Sequence, residues 1–214
     1  MLHLHMKMHS MKLKNKRLSI TVFFLFISMV ILVVFLEGCR KNYTPRPKAY
    51  FRIDFPEKKY TTYQSDCNYS FEYPVYAKIT PFKGAEAEPC WINIEFPGYK
   101  GKIHLTYKAV NNDLARYVED VRTLAYKHII KADDIIEKPV SFPDRKVYGL
   151  IYDIRGNTAS SLSFYLTDSS RNFLSGALYF SVIPNKDSLA PVIRFFTLDI
   201  NHLVETLNWN NQNK

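Results

Sequence analysis

Cysteine is the residue type whose spacing is most informative about chemistry in this chain of 214 residues, which holds Cys39, Cys67 and Cys90. Cys67 and Cys90 form an even pair that would close a loop of about 23 residues, worth on the order of 3 kcal/mol as a disulfide. In an oxidising compartment such a pair predicts a disulfide, and the alternative is two buried free thiols. A metal site is excluded because neither thiol has histidines near it in the sequence.

Cys39 ends a segment that predicts a different thiol chemistry, acylation. The basic residues at 12, 14, 16 and 17 precede an uncharged, mostly apolar run over 18–36, and the small residue Gly38 stands directly before Cys39. This order is typical of an export signal. With Leu36 three positions before Cys39, it resembles the lipobox of bacterial lipoproteins. The resemblance implies that 1–38 is a signal peptide and that Cys39 is lipidated, with several acyl chains for stable anchoring.

An uncleaved signal anchor is the alternative for the same segment. The run over 18–36 would rise roughly 28 Å as a helix, close to a bilayer core. Glu37 is also unusual directly before the small residue at a cleavage site. Both interpretations place the rest of the chain outside the cytoplasm.

Charge and composition limit the class of protein. After residue 38 the chain keeps 24 basic and 19 acidic residues, a net charge of +5, with no run of five basic residues. This excludes a nucleic-acid partner and suits a position near anionic lipid head groups. The remaining length is enough for one domain with a core. The whole chain has fifteen Tyr and fifteen Phe against seven Gly, which favours a β-rich domain.

The sequence carries no local signature of catalysis. It lacks G-x-S-x-G, H-E-x-x-H, C-x-x-C and a glycine-rich loop before a helix. We expect His104 to face solvent or lie under a helix, His128 to pack on a helical stripe, and His202 to lie near the end of the last helix. The sequence therefore predicts a protein that is not an enzyme, with no catalytic residues, metal or cofactor. An enzyme assembled from residues distant in sequence is the alternative.

Proline and charge mark 40–48 as an extended tether after the lipidated cysteine, with a reach of about 30 Å. The domain is predicted over 49–214. Apolar and polar residues alternate over 69–73, 92–96 and 102–107, which predicts strands, and 97–101 reads as a hairpin turn. Further strands are expected at 135–140, 147–154, 162–166 and 174–183, with 147–154 central because it is apolar on both faces.

Two segments follow helical spacing instead. The first covers 114–129, with Asn111 or Asn112 as its cap, Arg116 paired with Asp120, and Asp133 and Asp134 in a solvated turn after it. The second covers 189–207, with Asp187 or Ser188 as its cap and Pro191 in the first turn.

The order strands, helix, strands, helix predicts an α+β domain, in which two helices pack on a largely antiparallel sheet. This order of elements resembles the PsbP-like sandwich, and the resemblance carries no function. Two aromatic residues fall off the predicted core faces. Trp91 alternates to the polar side of its strand, and Phe195 lies beside the apolar stripe of the last helix. Such residues are candidates for a partner surface, or a second layer covers them.

Several blocks of the sequence are specific enough to compare with known families. The most specific is Tyr50-Phe51-Arg52-Ile53-Asp54-Phe55-Pro56-Glu57-Lys58-Lys59-Tyr60, and 67–74, 91–94 and the helix start at 187–191 accompany it. Together these blocks resemble the gliding motility lipoprotein GldD family of the Bacteroidetes. The resemblance runs from the lipobox to Trp209. It implies an envelope lipoprotein that is needed for surface gliding and works beside the type IX secretion machinery. It implies neither catalytic residues nor a cofactor.

From these expectations the chain is a tethered binding or assembly module whose partners are the membrane and other gliding or secretion proteins of the envelope. In the group of bacteria that the resemblance points to, an acidic cluster after the lipidated cysteine is associated with export to the cell surface. The residues after Cys39 are basic instead, so the resemblance implies a domain that faces the periplasm. We expect Tyr50, Phe51, Arg52 and Phe55 to contact a partner or to fix the tether against the domain. One rival is a periplasmic carrier that binds a lipid or small apolar ligand between sheet and helices. Another is a hydrolase in which His104 meets a carboxylate in a deep polar cleft.

Overall fold

In the computed structural model the described residues are 23, 25–29, 31, 52–64, 66–85 and 87–210. The chain forms two compact units, Met1–Ala49 and Tyr50–Lys214. In the first unit the described residues are helical and exposed. No helix within the described ranges is long and apolar enough to cross a membrane. Cys39, the predicted cleavage site before it and the predicted tether 40–48 all lie outside the described residues.

The second unit is built on two antiparallel sheets and two helices. The large sheet has the order β3-β4-β5-β9-β8-β7-β6, and the small sheet has the order β1-β2-β10. The large-sheet strands are β3 Lys78–Pro81, β4 Ile92–Phe96, β5 Gly101–Ala109, β6 Ala132–Phe142, β7 Val147–Gly156, β8 Ser160–Thr167 and β9 Asn172–Phe180. The small-sheet strands are β1 Tyr60–Gln64, β2 Tyr69–Pro74 and β10 Asn208–Trp209. The helices are α1 Leu114–Tyr126 and α2 Lys186–Thr206.

The larger core lies between one face of the large sheet, here called the α2 face, and a layer made of α2 and the small sheet. Strand alternation sends every second side chain to this face, and Phe196 of α2 stacks on Phe96 with ring centroids 4.0 Å apart. Gly176 makes this packing possible, because a Cβ there would lie 2.4 Å from Cζ of Phe164. The fully buried side chains of the larger core include Phe71, Ile94, Ile103, Leu105, Leu174, Ile200 and Leu207.

A smaller core lies on the opposite face of the large sheet, here called the α1 face. It buries six side chains, Val110, Val121, Ala125, Tyr152, Ile154 and Phe173. Strand β7 contributes Ile151 to the larger core and Tyr152 to the smaller one, which explains its apolar sequence on both faces. The structure therefore confirms the predicted α+β class, with two helices packed on a largely antiparallel sheet.

The first helix differs from the prediction at both ends. Its N-cap is Asp113, and Asn112 instead takes a left-handed backbone with φ 60°. Asp113 rather than Asp120 pairs with Arg116, at 3.0 Å. The helix stops at Tyr126, before His128. Asp133 and Asp134 belong to β6 rather than to a turn, because the strand begins at Ala132 and takes a bulge there.

The second helix begins earlier than its spacing indicated. The Asn185 side chain is the N-cap and accepts a hydrogen bond from the Ser188 backbone N–H at 3.1 Å. Pro191 is consequently inside the helix and not in its first turn. Strand β9 ends at Phe180, so Ile183 stands outside the sheet and is exposed.

Candidate functional site

Residues 52–59, here called the lead segment, carry no regular structure and lie against α2. The Phe55 ring stacks on Phe195 of α2 with centroids 4.3 Å apart, and on Tyr99 at 5.7 Å. The Tyr99 hydroxyl donates to the backbone carbonyl of Asp54 at 3.2 Å. These contacts fasten the lead segment to the domain through its aromatic residue.

Lys58 adds a charged contact at the same place. Its Nζ donates to Asp199 Oδ1 at 2.7 Å, to the Tyr76 hydroxyl at 2.8 Å and to the Phe195 carbonyl at 2.9 Å. The ammonium also lies 3.2 Å from the centroid of the Phe195 ring. Lys58 therefore satisfies its three donors while its stem crosses an aromatic surface.

Asp199 is the centre of this network. Its side chain is only 1% exposed, and it accepts from Tyr76 at 2.6 Å and from Tyr60 at 3.1 Å as well as from Lys58. We call Phe55, Lys58, Tyr60, Tyr76, Phe195 and Asp199 the clamp. A buried carboxylate is tolerated only when it is paired and hydrogen-bonded, and here both oxygens are.

The clamp shifts the pKa values of the titratable groups around Asp199. Burial lowers the pKa of Lys58, and the hydrogen bond and charge of Asp199 oppose that shift. Burial and the carboxylate together raise the pKa of Tyr60 to about 12, and they raise the pKa of Tyr76 further. Both phenols therefore stay protonated and act as donors to Asp199 near neutral pH.

A second polar contact extends the clamp along β1. The Tyr60 ring stacks on the imidazole of His202 with centroids 3.6 Å apart, and His202 Nε2 lies 2.7 Å from Glu72 Oε2. Strand β1, which follows the lead segment directly, is thus held to α2 and β2 as well.

Two cysteines tie the small sheet to the large one. Cys67 and Cys90 form a disulfide with Cα atoms 5.9 Å apart, and the Tyr69 hydroxyl donates to the Cys90 carbonyl at 2.9 Å. Trp91 follows directly, and its Nε1–H donates to the Tyr107 carbonyl at 3.0 Å. Lys108 Nζ lies 4.9 Å from the Trp91 ring. Trp91 is therefore partly covered by its own domain.

The α1 face carries an open groove of about 500 Å³, between the second half of α1 and strands β5, β8 and β9. We call this space the groove. One wall is apolar and comes from α1, and the floor is made of small and hydroxyl side chains of the strands. The lining residues used below are Lys102, His104, Leu124, His128, Ser163 and Ala177.

His104 in the groove contacts an amide and not a carboxylate. His104 Nδ1 lies 2.5 Å from the amide oxygen Oδ1 of Asn93. Burial and the nearby charge of Lys102 lower the pKa of His104, and burial lowers the pKa of His128. The geometry that the hydrolase rival required, His104 against a carboxylate, is therefore not met. Across the described residues no group of three or more His, Cys, Asp or Glu could hold a metal ion.

Comparison with known families identifies the chain. The family model described as gliding motility lipoprotein GldD matches residues 40–209. The chain belongs to the GldD family. The match includes the lead segment, the disulfide, the groove and both helices, and ends at Trp209. Membership of this family of lipoproteins implies membrane anchoring and association with the cell envelope.

No curated protein matches the chain. Among solved structures, it is similar to the solution structure of cyanobacterial PsbP (CyanoP) from Synechocystis sp. PCC 6803. The identity is 12%, the TM-score is 0.44, and the similarity covers 78% of this chain and 99% of that chain. No function is transferred from that protein.

The predicted partner residues of this GldD-family chain take different places. Tyr50 and Phe51, like Cys39, lie outside the described residues. Arg52 is exposed and pairs with Asp54 at 3.0 Å. Phe55 and Phe195 contact each other, so the layer that covers Phe195 is the lead segment itself.

Sequence reasoning missed the polar half of the clamp, Lys58, Tyr76 and Asp199. One signal was present, because Asp199 follows Phe196 by three residues and so falls on the apolar stripe of α2. A carboxylate on a buried stripe requires a partner. Nothing in the sequence indicated that this partner is Lys58, which lies 141 positions away.

Proposed function

We propose that this GldD-family protein is a membrane-anchored assembly module of the gliding motility and type IX secretion machinery, without catalytic activity. The observation that supports the proposal is the clamp. It fixes the membrane-proximal end of the domain to α2, rather than leaving the domain free on a long linker.

The clamp shortens the distance over which the domain can move. Between a lipid on Cys39 and the first fixed side chain, Phe55, even a fully extended chain spans at most about 55 Å. Confinement within that distance of a membrane raises the local concentration of the domain around other envelope proteins. Those proteins are the partners in this proposal, and the domain faces the periplasm. No nucleic acid and no cofactor take part.

The surfaces left for partners follow from the same contacts. Phe55 and Phe195 are used within the domain, whereas Arg52 is exposed beside them. In this proposal Tyr50, Phe51 and Arg52 contact partners. Trp91, which follows Cys90 of the disulfide, is a further candidate for contact with a partner.

A deletion strain of the source organism tests this proposal when it is complemented with the wild type, Cys39→Ala or Phe55→Ala. Colony spreading and secretion of type IX cargo are scored together with protein abundance. We expect Cys39→Ala to restore neither, and Phe55→Ala to restore both only partly at normal abundance. Phe142→Ala is the matched control, because Phe142 is a partly buried ring at the end of β6 that belongs neither to the clamp nor to the candidate partner residues.

Normal spreading and normal secretion in the deletion strain would contradict the assembly role. Full rescue by Cys39→Ala would contradict the anchor and leave the clamp to be judged by Phe55→Ala alone. Full rescue by Phe55→Ala at normal abundance would show that fixing the lead segment is unnecessary.

A further inference from the structure

The floor of the groove contains an unusual polar group. Among the described residues, Ser163 Oγ is the only buried side-chain nitrogen or oxygen without a hydrogen-bond partner. Its hydroxyl neighbours on the floor are engaged, Thr106 with Ser175 at 2.6 Å and Ser160 with the Leu162 carbonyl at 3.2 Å. A buried hydroxyl without a partner costs about 1–3 kcal/mol, so such groups are expected to meet one.

Sheet register places this hydroxyl in line with His104. Ala177 pairs with Ser163 on one side and with His104 on the other. The three side chains therefore form one row across the floor, with the small Ala177 in the middle. The row leaves room between two groups that can hydrogen-bond.

The wall and mouth of the groove are apolar and exposed. Leu124 lines the groove although it is 58% exposed. Ile130 and Ile183 do not line the groove, but each follows a lining residue, His128 or Ser181, by two positions, and they are 91% and 89% exposed. An ion pair at 2.6 Å between Lys186 and Asp133 brings the segments of Ile130 and Ile183 together. Exposed apolar groups collected at a cavity mouth are typical of a binding site.

The groove lining includes a cation. Lys102 lines the groove and forms no ion pair with any residue that the structure describes. Its cross-strand neighbour Glu95 accepts a hydrogen bond from Thr80 at 2.8 Å. Lys127 and Lys131 flank the segment of His128 and are exposed. An anionic group at the floor would therefore meet a cation and the Ser163 hydroxyl.

We propose that the groove binds an acyl chain that ends in an anionic group. The anionic group lies on the floor, where it accepts from Lys102 and Ser163. The chain runs along the α1 wall past Leu124 toward Ile130 and Ile183. The volume, about 500 Å³, is in the range of small-molecule sites. A site of this kind would let the protein carry or sense a lipid, independently of the assembly role proposed above.

Photo-crosslinking with the full chain in phosphatidylcholine nanodiscs tests this inference. The probe is a 16-carbon fatty acid that bears a diazirine, and labelled peptides are mapped by mass spectrometry. We expect labels on β5, α1 and β9. Unlabelled hexadecanoate should compete about tenfold better than hexadecanol, because only the former has a charge for Lys102. A second arm replaces the probe with a diazirine-bearing phosphatidylglycerol in the disc, which distinguishes a bilayer lipid from a free fatty acid.

Two variants and two controls complete the design. Ala177→Leu places a larger side chain between His104 and Ser163, and Lys102→Gln removes the cation. Each should lower groove labelling about fivefold or more. Ala109→Leu, at an exposed position of β5 that does not line the groove, and Lys83→Gln are the matched controls and should label as the wild type does, with all four variants melting within a few degrees of it.

Groove labelling by either probe that falls in Ala177→Leu supports the site, and the probe that labels identifies the source. Labelling that is absent from the groove peptides, or equal in Ala177→Leu and the wild type, overturns the inference. Neither of those results bears on the clamp, because Phe55→Ala tests the clamp by motility and secretion.

Discussion

The clamp lies where the lead segment meets α2, and the groove lies between α1 and the large sheet. The two regions differ in how completely their polar groups are paired. In the clamp, both oxygens of Asp199 and all three donors of Lys58 are used. In the groove, Ser163 Oγ has no partner among the described residues and Leu124 is exposed. A fully paired network specifies one arrangement, whereas an unpaired one remains able to receive another molecule.

Helix length explains part of this difference. Helix α2 has 21 residues and buries six side chains, whereas α1 has 13 and buries only Val121 and Ala125. The longer helix covers its face of the sheet together with the small sheet. The shorter one leaves the strands beside it partly open. We conclude that this fold places its stability where the lead segment meets α2 and its adaptable surface on the α1 face of the large sheet.

The largest expected effect comes from breaking the clamp at its centre. Asp199→Ala leaves the Lys58 ammonium and two phenols without their acceptor, and should lower the free energy of unfolding by about 3–5 kcal/mol. Urea titration measures it. Asp153→Ala is the control, because its pair with Lys138 lies at the surface and should cost less than about 1 kcal/mol. Equal losses in the two variants would show that the clamp is no more than a surface ion pair.

Loss of the disulfide should cause the next largest fall in the free energy of unfolding. Cys67→Ser with Cys90→Ser removes a constraint over 23 residues and should cost about 3 kcal/mol. Reducing agent added to the wild type should cause the same fall and should leave the double variant unchanged. A wild type that is indifferent to reductant would contradict a stabilising role for the bond.

A paired comparison of apolar truncations tests the two regions directly. Phe55→Ala removes a stacked ring from the clamp and should cost about 2 kcal/mol. Leu124→Ala removes an exposed side chain at the groove and should cost less than about 0.5 kcal/mol. Thermal unfolding of both variants measures the contrast. A larger loss in Leu124→Ala would reverse our assignment of stability to the clamp.

Acidic pH should lower the free energy of unfolding through the two histidines of the groove. Burial lowers the pKa of His104 and His128 from the ordinary 6.5, so the unfolded chain binds more protons than the folded chain below about that pH. The free energy of unfolding should therefore fall as the pH falls from 7 to 5. Urea titrations at several pH values should show a shallower fall in His104→Gln. A slope that this substitution does not change would contradict the burial argument.

Alkaline pH should lower the free energy of unfolding slightly, through Tyr60 of the clamp. The pKa of Tyr60 is raised to about 12 from 10.0, so the unfolded chain loses this proton first. Stability that is fully present below pH 10 should decline as the pH rises toward 12. Tyr60→Phe should flatten the decline when unfolding is measured at pH 9 and 11, and a steeper decline in this variant would contradict the assignment.

Alternation of residues in the sequence predicted the strands that bury a face. Strand β4 pairs with β5 around the turn at Pro97–Tyr99, as the alternation and the turn residues indicated. The sequence did not reveal β1, β3 or β10. Strand β1 has the sequence YTTYQ without apolar alternation, β3 has four residues, and β10 has two. Such strands depend on their neighbours rather than on their own pattern.

The candidate site was predictable only in part, for a related reason. The position of Phe195 beside the apolar stripe followed from helical period alone. Its contact with Phe55 depends on how the lead segment folds back, and local spacing contains no information about that. The row of Ser163, Ala177 and His104 likewise depends on which residues pair across three strands, whereas alternation alone indicates only which face of the sheet each residue takes.

The order in which a chain is made sets a limit on when the clamp can exist. Lys58 lies near the lipidation site predicted at Cys39, whereas Asp199 is 141 residues further on, and β10 completes the small sheet only at Trp209. Contacts this distant in sequence pay the entropy of closing a long loop, and they form late. The lead segment and β2 therefore lack their main packing partner until α2 and β10 are available. Truncation before α2 would leave Phe55, Tyr76 and the inner face of β2 uncovered, a surface suited to recognition by chaperones or proteases.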